Sequence, residues 1–551
     1  MQCSHDNKIE AYRGDINMRE LDYYAKLLGR GTISRREFMG RALALGATFT
    51  MATSLASTAA KAQTPKKGGR LRLAATGGAT SDTLDPAQIL DTYMTMVSFG
   101  QLRNCLTEIA SDGSLIGELA ESWEASDDAV TWTFKIGQGV EFHNGKTLDA
   151  NDVVESINHH RGEDTASAAK GIISPIQDIK PDGKNVVVIT LSGGSADFPF
   201  LMSDYHLGIC PAKSGGGIDW ESGVGTGGYM LQSFDPGVRT LTTRNPNYWK
   251  TGYGHFDEVE SLFISDVVAR TSALQTDEID LMSNVDLKTV HLLKKTPGVV
   301  VFKTTGNQHI TLPMHTNKPP FDNNDLRLAL KYAIDREQWL RVIMKGYGEL
   351  GNDIPLGPAN VYRATTDEIP QRQYDPDKAK FHLKKAGYDS IDLQFHASDT
   401  AYGGAVDSGQ LYSESARPAG INLEVVREPE DGYWSNVWLK DPFMASYWGG
   451  RPTEDWMFSQ VYSSGADWNE TFWDHERFNE LLVAARAELD AAKRREQYVE
   501  MQRILRDEGG VIVPVFMSYV QAASDKLHLP EQMASNWDLD GNKCAERWWF
   551  A

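Results

Sequence analysis

Short strand-like segments alternate with helical patterns along most of this chain, and this alternation restricts the fold more than any other feature. Each strand-like segment is rich in β-branched or aromatic residues and is bounded by turn residues. Apolar residues recur at helical spacing in Asp325–Lys345, which predicts one helix with Gly346 as its C-terminal capping glycine. The segment His475–Glu508 predicts two charged amphipathic helices. The pattern therefore predicts an α/β protein. The strand-like segments are Leu71–Ala74, Thr131–Ile136, Val186–Leu191, Tyr229–Phe234, Val299–Lys303, Ile391–His396 and Ile421–Val426.

The length, charge and cysteine content exclude several classes of protein. A chain of 551 residues is too long for one hydrophobic core, which seldom exceeds ~250–300 residues, so two or more lobes are expected. A formal net charge of -20 argues against nucleic acid or an anionic membrane surface as a partner. The scattered cysteines Cys3, Cys105, Cys210 and Cys544 predict neither a zinc site nor a disulfide framework. Whether two of the last three form a disulfide is left open.

Residues 1–62 resemble a twin-arginine signal peptide. The adjacent Arg35 and Arg36 precede a mildly apolar run, Ala42–Ala60, and the A-x-A pattern at Ala60–Ala62 predicts cleavage there. The alternative is a membrane anchor, which the six threonine and serine residues in the run disfavour, because a span needs ~20 mostly apolar residues. A later translation start at Met18 is left open. The mature chain is expected in the periplasm.

The apparent motifs of catalysis or cofactor binding in this sequence are incomplete or lack the structural context that they require. The sequence GVGTGG, Gly223 to Gly228, matches a dinucleotide fingerprint, but a strand follows it where a helix is required, so it predicts a tight backbone corner. A phosphate loop ending in G-K-T would need a glycine where Val140 stands. His159-His160 and His475-Glu476 lack metal-ligand companions at usable spacing. No catalytic residue, metal or cofactor is predicted.

Eight segments, read in order, resemble one known family. The resemblance is to the family 5 (cluster C) extracellular solute-binding proteins of ATP-binding-cassette importers, whose members bind oligopeptides, dipeptides, nickel chelates, glutathione, sugars or opines. It covers nearly all of the mature chain. The segments are LDP (Leu84–Pro86), ELAESW (Glu118–Trp123), WTFKIGQGVEFHNGKTLDANDVVESI (Trp132–Ile157), GTGGYML (Gly225–Leu231), RNPNYW (Arg244–Trp249), NKPPFDNNDLRLALKYAIDR (Asn317–Arg336), AKFHLKKAGY (Ala379–Tyr388) and GINLEVV (Gly420–Val426).

The resemblance implies a type II-like periplasmic-binding fold with two ligand-binding lobes, a hinge and an inserted third lobe. Chain crossings near Met314 and Val513 would form the hinge, and the lobes would close around ligand. The expected protein is a monomeric receptor, not an enzyme, that delivers a peptide, opine or amino-acid conjugate to permease subunits and their ATPase. The expected divisions are 1–62 for the signal, 63–97, 215–313 and 513–551 for lobe I, 98–214 for lobe II, and 314–512 for lobe III.

The segment YWGGRPTEDWMF, Tyr447 to Phe458, is predicted to be a loop, because its glycines and proline disfavour a helix or a central strand. The resemblance implies that this segment carries the ligand site. In peptide-binding members the matching pattern is W-x-x-D, whose aspartate binds the α-ammonium group. Trp448 matches this tryptophan, but Arg451 replaces the aspartate. An arginine there predicts an anionic group on the ligand. Two alternatives stay open: Arg451 pairs with Glu454 or Asp455, or one of these carboxylates binds an ammonium group.

The remaining site predictions concern the walls of the cleft. Tyr447 is expected beside Trp448 on one wall, whereas Trp456 and Phe458 are expected in a core. Tyr402 precedes a predicted helix start, where an anion can bind, and Tyr433 and Trp434 are weaker candidates. The opposite wall is expected after LDP, in Asp91, Thr92, Tyr93 and Met94, through its backbone. The alternative functions are a secreted hydrolase on the same scaffold, or a receptor for a nickel or haem chelate or an oligosaccharide.

Overall fold

The computed structural model describes residues 21, 24, 35–45, 65–162, 165–429 and 433–551. The helix Arg35–Ala44 includes Arg35 and Arg36, the two arginines of the predicted signal. The predicted cleavage site at residues 60–62 and Cys3 lie outside the described residues. Within the part of the chain that is described, none of the helices combines the length and the apolar character that crossing a bilayer requires.

The described strands and helices alternate along the chain, as predicted, and are numbered here in chain order. The strands are β1 Arg70–Ala75, β2 Thr107–Ile109, β3 Leu115–Gly117, β4 Ala120–Ala125, β5 Thr131–Ile136, β6 Ile176–Pro181, β7 Val186–Leu191, β8 Tyr229–Asp235, β9 Arg239–Arg244, β10 Glu258–Phe263, β11 Leu281–Met282, β12 Val299–Pro313, β13 Gly348–Leu350, β14 Ile391–Ala397, β15 Ile421–Arg427, β16 Ser446–Trp448, β17 Val511–Ile512, β18 Val515–Ser524, β19 Leu527–His528 and β20 Trp549–Phe550. The α-helices are α1 Arg35–Ala44, α2 Thr92–Val97, α3 Ala150–Asn158, α4 Lys170–Ile173, α5 Phe198–Leu201, α6 Val267–Gln275, α7 Val290–Leu293, α8 Asn324–Ala333, α9 Arg336–Val342, α10 Pro376–Lys385, α11 Ala405–Ala416, α12 Tyr433–Asn436, α13 Glu454–Val461, α14 Glu476–Ala487, α15 Ala491–Glu508, α16 Asp538–Gly541 and α17 Cys544–Arg547.

The largest described sheet is a mixed sheet of ten strands. Its main order is β16-β12-β18-β11-β1-β10-β9-β8, with β13 and β17 attached to it. The two longest strands, β12 and β18, pair antiparallel from Val299 opposite Ser524 to Thr305 opposite Ser518. A bulge follows, after which His309 lies opposite Phe516. These two strands therefore join the part of the sheet that contains β1 and β11 to strands β13 and β16, which belong to residues 314–512.

The buried apolar side chains of the described residues form five clusters, which fall into three regions. We call them the base, with core residues mainly within 71–102, 229–301 and 520–548, the insert, with core residues within 106–209, and the C-terminal unit, within 310–516. The insert packs on its own four-stranded sheet, β4-β5-β7-β6. The structure is thus an α/β fold with several lobes, whereas the lobe boundaries inferred from the resemblance remain a prediction.

The helical predictions are confirmed in one place and wrong in another. His475–Glu508 does form two helices, α14 and α15. The single helix predicted for Asp325–Lys345 is instead divided into α8 and α9. Ile334 adopts an extended conformation (φ -93°, ψ 125°), and Asp335 caps α9 by accepting a hydrogen bond from the Gln338 amide at 2.9 Å. A capping side chain starts a new helix here because it satisfies an otherwise unpaired amide.

The glycine-rich sequence GVGTGG, predicted to be a tight backbone corner, packs closely against the backbone of residues 101–102. A Cβ atom at Gly225 would lie 2.0 Å from the Leu102 carbonyl oxygen, and one at Gly227 would lie 2.2 Å from that of Gln101. Only glycine permits this approach. The three described cysteines, which the sequence left open as possible disulfide partners, are buried free thiols, and burial raises the pKa of Cys210.

A buried ion network joins the insert to the base. The Lys250 ammonium lies 2.7 Å from Glu118 Oε1 and 2.9 Å from Glu546 Oε1, and it also contacts Glu108. Lys543 lies 2.9 Å from the same Glu118 oxygen. Although burial opposes ionisation, these cations help to hold the pKa of Glu108 well below its ordinary value. The three carboxylates lie close enough to hold a metal ion, but the Lys250 ammonium already contacts all of them.

Candidate ligand-binding site

The segment Tyr447–Phe458 is a strand end, a turn and a helix start, so the prediction that all of it is a loop is wrong. The edge strand β16 pairs antiparallel with β12, with Trp448 opposite His309. Helix α13 begins at Glu454 because the Thr453 hydroxyl accepts a hydrogen bond from the Trp456 amide at 3.3 Å. Only residues 449–453 are irregular.

The turn is held tightly against the bulge in β12. Gly450 has a φ of +77°, and a Cβ atom there would lie 2.4 Å from Asn307 Cβ. The side-chain amides of Asn307 and Asn360 both donate to the Arg451 carbonyl oxygen, at 3.1 Å and 3.2 Å. The backbone that carries Arg451 is therefore fixed by two hydrogen bonds and one obligatory glycine.

We expect Gly450→Ala to destabilise the protein by about 1–3 kcal/mol, because the new Cβ would combine a left-handed backbone with a clash. Thermal unfolding measures the loss. Gly449→Ala is the matched control, since a Cβ at Gly449 meets nothing within 4 Å. Equal melting temperatures for the two variants would contradict the argument.

The Arg451 side chain is half-buried and forms no salt bridge within the part of the chain that the structure describes. Its Nε donates to Gln460 Oε1 at 2.6 Å and its Nη1 donates to the Gly450 carbonyl oxygen at 2.7 Å. The guanidinium carbon lies 5.5 Å from the ring centroids of both Trp448 and Trp456. Burial lowers the pKa of Arg451. Among the described residues, no carboxylate oxygen lies within 4 Å of this side chain to form a salt bridge, and the charge of Asp204 acts on it only from a greater distance.

The carboxylates of Glu454 and Asp455 accept hydrogen bonds from other residues, so the pairing of Arg451 with either of them is wrong in this structure. Asp455 accepts from Arg486 Nε at 3.0 Å and from the Ser459 hydroxyl at 3.0 Å. Glu454 is buried and accepts from the Tyr362 amide at 2.6 Å. The physical reason is that these partners already hold both carboxylates.

Burial, reinforced by the charge of Asp197, raises the pKa of Glu454 from 4.5 to about 7. The folded protein therefore retains a proton that the unfolded chain releases above about pH 4.5. The stability contributed by the protonated form is full below that pH and is lost as the pH rises towards 7. We expect Glu454→Gln to reduce the fall in melting temperature between pH 5 and pH 8.

The control for this pH experiment is Glu480→Gln, whose side chain is 58% exposed on α14. It should keep the pH dependence of the unmodified protein. If Glu454→Gln showed that same dependence, the proton would not reside on Glu454.

Trp448 is oriented by a buried carboxylate that the sequence did not indicate. Its Nε1 donates to Glu470 Oε1 at 3.0 Å, and Trp438 Nε1 donates to Glu470 Oε2 at 2.9 Å. The Thr311 hydroxyl adds a third hydrogen bond at 2.7 Å. Burial raises the pKa of Glu470. This hydrogen bonding fixes the indole of Trp448, whose ring centroid lies 5.5 Å from the Arg451 guanidinium carbon.

Tyr447 belongs to an aromatic surface that also includes the weaker candidate Trp434. Their ring centroids lie 5.8 Å apart, and the chain of ring contacts continues through Trp438 and Trp468 to Trp448. Tyr447, Trp434 and Trp468 remain 38%, 39% and 44% exposed. The sequence does not indicate Trp438 and Trp468 as site residues, because no local pattern connects them to Trp448.

The segment after LDP forms helix α2. Asp91 caps it by accepting from the Met94 amide at 2.9 Å, and burial raises the pKa of Asp91 to about 6. The side chains of Tyr93 and Met94 lie in the core of the base, where the Tyr93 hydroxyl is 2.8 Å from Thr240 Oγ1. Asp91 and Thr92 are only partly buried.

Tyr205 lies close enough to charged groups of both walls for their charges to act on it. Burial and Asp204 raise the pKa of its hydroxyl, Arg451 opposes that rise, and Asp91 reinforces it. Both the cation of the C-terminal unit and the carboxylate of the base therefore act on Tyr205. The sequence did not indicate Tyr205 as a site residue.

The other predicted site residues lie in apolar cores or beside them. Tyr402 is buried in the core of the C-terminal unit, and its hydroxyl lies 2.8 Å from Ser408 Oγ, so the structure does not place its side chain in the cleft. Tyr433 is buried there too. Phe458 is fully buried, as predicted, whereas Trp456 is only half-buried against the insert.

A second group of side chains within the described residues could hold a metal ion. It consists of His396, Glu428 and Asp441, in which His396 Nδ1 lies 2.7 Å from Glu428 Oε1 and 3.4 Å from Asp441 Oδ2. In this structure the imidazole is paired with both carboxylates.

Comparison with known proteins identifies the family. The chain belongs to the bacterial extracellular solute-binding proteins, family 5, whose model matches residues 114–470. Members of this family bind solutes for ATP-binding-cassette importers outside the cytoplasm, so this chain is a transport binding protein and not an enzyme.

Individual proteins resemble it over most of their length. A glutathione-binding protein, GsiB of Shigella boydii, is 26% identical over 468 residues, covering 82% of this chain and 90% of that protein. A dipeptide-binding protein of Escherichia coli is 24% identical over 478 residues, covering 79% and 85%. The crystal structure of the substrate-binding protein CtaP of Listeria monocytogenes superposes with a TM-score of 0.75 at 21% identity, covering 88% and 100%.

Proposed function

We propose that this protein captures a small peptide or amino-acid-like solute with an anionic group. The single observation that carries the proposal is Arg451, a half-buried guanidinium with two aromatic neighbours and no acidic partner among the described residues. A guanidinium presents a planar fork of donors that suits a carboxylate, sulfonate or phosphate. The relatives named for glutathione and for dipeptides support a ligand of this kind, since those compounds are small, peptide-like and carry carboxylates.

Binding is proposed to couple to closure of the lobes. The cleft would lie between the base, at Asp91 and Thr92, and the C-terminal unit, at Tyr447, Trp448 and Arg451. Strands β12 and β18 run between these parts and support a hinge there. Closure would exclude water and strengthen each charged hydrogen bond to the ligand, and a permease would recognise the closed form.

The export route and the assembly state belong to the same proposal. Arg35 and Arg36 support twin-arginine export, with cleavage near Ala62. The mature protein would act as a periplasmic monomer beside an inner-membrane permease and its ATPase. The lobe divisions are those given above: 63–97, 215–313 and 513–551 for lobe I, 98–214 for lobe II and 314–512 for lobe III.

Ligand-dependent stabilisation tests this function. A solute at 100 times its dissociation constant should stabilise the folded state by about 2.7 kcal/mol. A panel of dipeptides, glutathione, opines and amino-acid conjugates would be screened by thermal unfolding, and mass spectrometry would verify that the bound solute is returned unchanged. Failure of every anionic solute to raise the melting temperature would overturn the proposal, as would tight binding of cationic solutes alone.

A further inference from the structure

The side chains of His396, Glu428 and Asp441, which we call the His396 cluster, meet at the carboxyl edge of the parallel pair β14 and β15. His396 lies at the end of β14, and Glu428 directly follows β15. The Glu428 amide donates to the Ala397 carbonyl oxygen at 2.9 Å, which joins the two strand ends. The carboxyl edge of parallel strands is where open α/β sheets bind ligands.

Backbone hydrogen bonds also fix the third member of the cluster. The His396 amide donates to the Phe443 carbonyl oxygen at 3.1 Å, and the Ala445 amide donates to the His396 carbonyl oxygen at 2.8 Å. Asp441 lies two positions before Phe443, and its own amide donates to the Val437 carbonyl oxygen at 2.9 Å. The three side chains therefore start from backbone positions that are already set, which reduces the cost of ordering them around a ligand.

The His396 cluster holds more negative than positive charge. His396 Nδ1 lies 2.7 Å from Glu428 Oε1 and 3.4 Å from Asp441 Oδ2. Within the described ranges, neither carboxylate forms a salt bridge with a lysine or arginine. This differs from the buried ion network, in which the Lys250 ammonium contacts all three carboxylates. Two carboxylates that share one imidazole can accept a further cation.

The donor atoms suit a transition-metal ion. Imidazole nitrogen and carboxylate oxygen both bind zinc, at about 2.0–2.2 Å, and imidazole favours zinc, nickel or copper over calcium or magnesium. The three donor atoms lie within 4.8 Å of one another. Two ligand atoms on a tetrahedral ion are about 3.3 Å apart at those bond lengths, so the distance from His396 to Asp441 already fits. The distance to Glu428 must widen by about 0.6 Å, which a small rotation of its partly exposed side chain can supply.

Two members of the cluster flank helix α12 in the chain. Glu428 precedes this helix and Asp441 follows it. Trp434, on α12, packs against Tyr447 with ring centroids 5.8 Å apart, as part of the exposed aromatic surface. An ion bound to both carboxylates would hold the two ends of the segment together and so restrain the indole of Trp434.

We propose that His396 Nδ1, Glu428 and Asp441 bind one divalent transition-metal ion, which holds together the two ends of the segment that carries α12. The ion is held by the protein's own side chains, unlike a metal chelate that is carried as the transported solute. The inference is independent of the proposed function, because none of these side chains contacts Arg451.

Calorimetric titration of the mature, EDTA-treated protein with zinc chloride tests this site. His396→Gln and Glu428→Gln should each weaken zinc binding at least tenfold. The matched control is His382→Gln, because His382 Nδ1 lies 2.8 Å from one carboxylate, that of Asp325, and is similarly buried, at 18% against 15% exposed. This variant should bind zinc as the unmodified protein does. Unchanged zinc affinity in the variants of His396 and Glu428 would overturn the proposal, and melting temperatures verify that all variants fold.

Two further measurements locate the ion and its effect. Anomalous diffraction at the zinc edge should place it about 2.0–2.2 Å from the three donor atoms, and zinc found only at other groups would refute the site. Zinc should slow amide hydrogen exchange in residues 433–438 of the unmodified protein and of His382→Gln, but not of His396→Gln. Zinc binding at the cluster without slower exchange there would contradict its role in holding the segment.

Discussion

Replacing Lys250 with methionine is expected to destabilise the folded protein by about 3–5 kcal/mol, the range found when one partner of a buried ion pair is removed. The Lys250 ammonium is nearly inaccessible and contacts Glu108, Glu118 and Glu546. Its removal would leave these carboxylates in a low-dielectric environment with only two neighbouring cations, Lys543 and Arg547. Burial opposes the charged form of Lys250, and the carboxylates nevertheless hold its pKa well above the ordinary value.

Thermal unfolding of Lys250→Met would measure this effect. The matched control is Lys213→Met, because Lys213 pairs with Glu221 at 3.0 Å while both side chains stay about half exposed, at 45% and 52%. Such surface pairs contribute only about 0–1 kcal/mol. A melting temperature for Lys250→Met as high as that of the control would show that the carboxylates find other partners, and would contradict a structural role for the network.

The network matters because it fixes the position of the insert. Glu118 receives hydrogen bonds from the Asn104 side chain and the Cys105 amide, both at 2.7 Å, as well as from Lys250 and Lys543. Arg547 binds Glu108 at 2.6 Å and so adds a contact from the last helix of the chain. We therefore expect Lys250→Met to loosen the insert without unfolding the core of the C-terminal unit.

Replacing Arg451 with aspartate is expected to weaken binding of an anionic ligand by about 2–4 kcal/mol, roughly 30- to 1,000-fold in affinity, as for the loss of one partner from a buried charge pair. The substitution removes the donors and places a negative charge beside Trp448 and Trp456. It also creates the W-x-x-D pattern that the resemblance implies for peptide-binding members, so a ligand with a free ammonium group should bind the variant better than the unmodified protein.

Native mass spectrometry of the protein from its own host would identify a co-purified ligand, which then serves for calorimetry. The control is Arg417→Asp, because Arg417 pairs with Glu414 on the surface, where the two side chains are 62% and 65% exposed. Its affinity should stay unchanged. Unchanged affinity in Arg451→Asp as well would mean that Arg451 only stabilises the turn through Gln460 and Gly450.

The local sequence predicted much of the secondary structure and the family. Strands such as Thr131–Ile136 and Val186–Leu191 match their predicted bounds, because alternation of apolar residues acts over a few positions. The motifs of the resemblance led to the right fold for the same reason, since they are contiguous. The loop prediction for Tyr447–Phe458 failed because β16 gained a partner strand, β12, that lies about 140 positions earlier.

The amino-acid sequence by itself determined the α/β class, the solute-binding family and the presence of an arginine where the resemblance implies an aspartate in peptide-binding members. Only the tertiary structure decided what that arginine contacts: Gln460 and two indoles rather than Glu454 or Asp455. It also formed a cavity beside Trp456. It brought together the ion pair of Glu118 and Lys543, two residues that lie 425 positions apart in the chain. Local propensity acts between neighbours in the chain, whereas the charge, burial and partners of a site depend on how distant segments pack together.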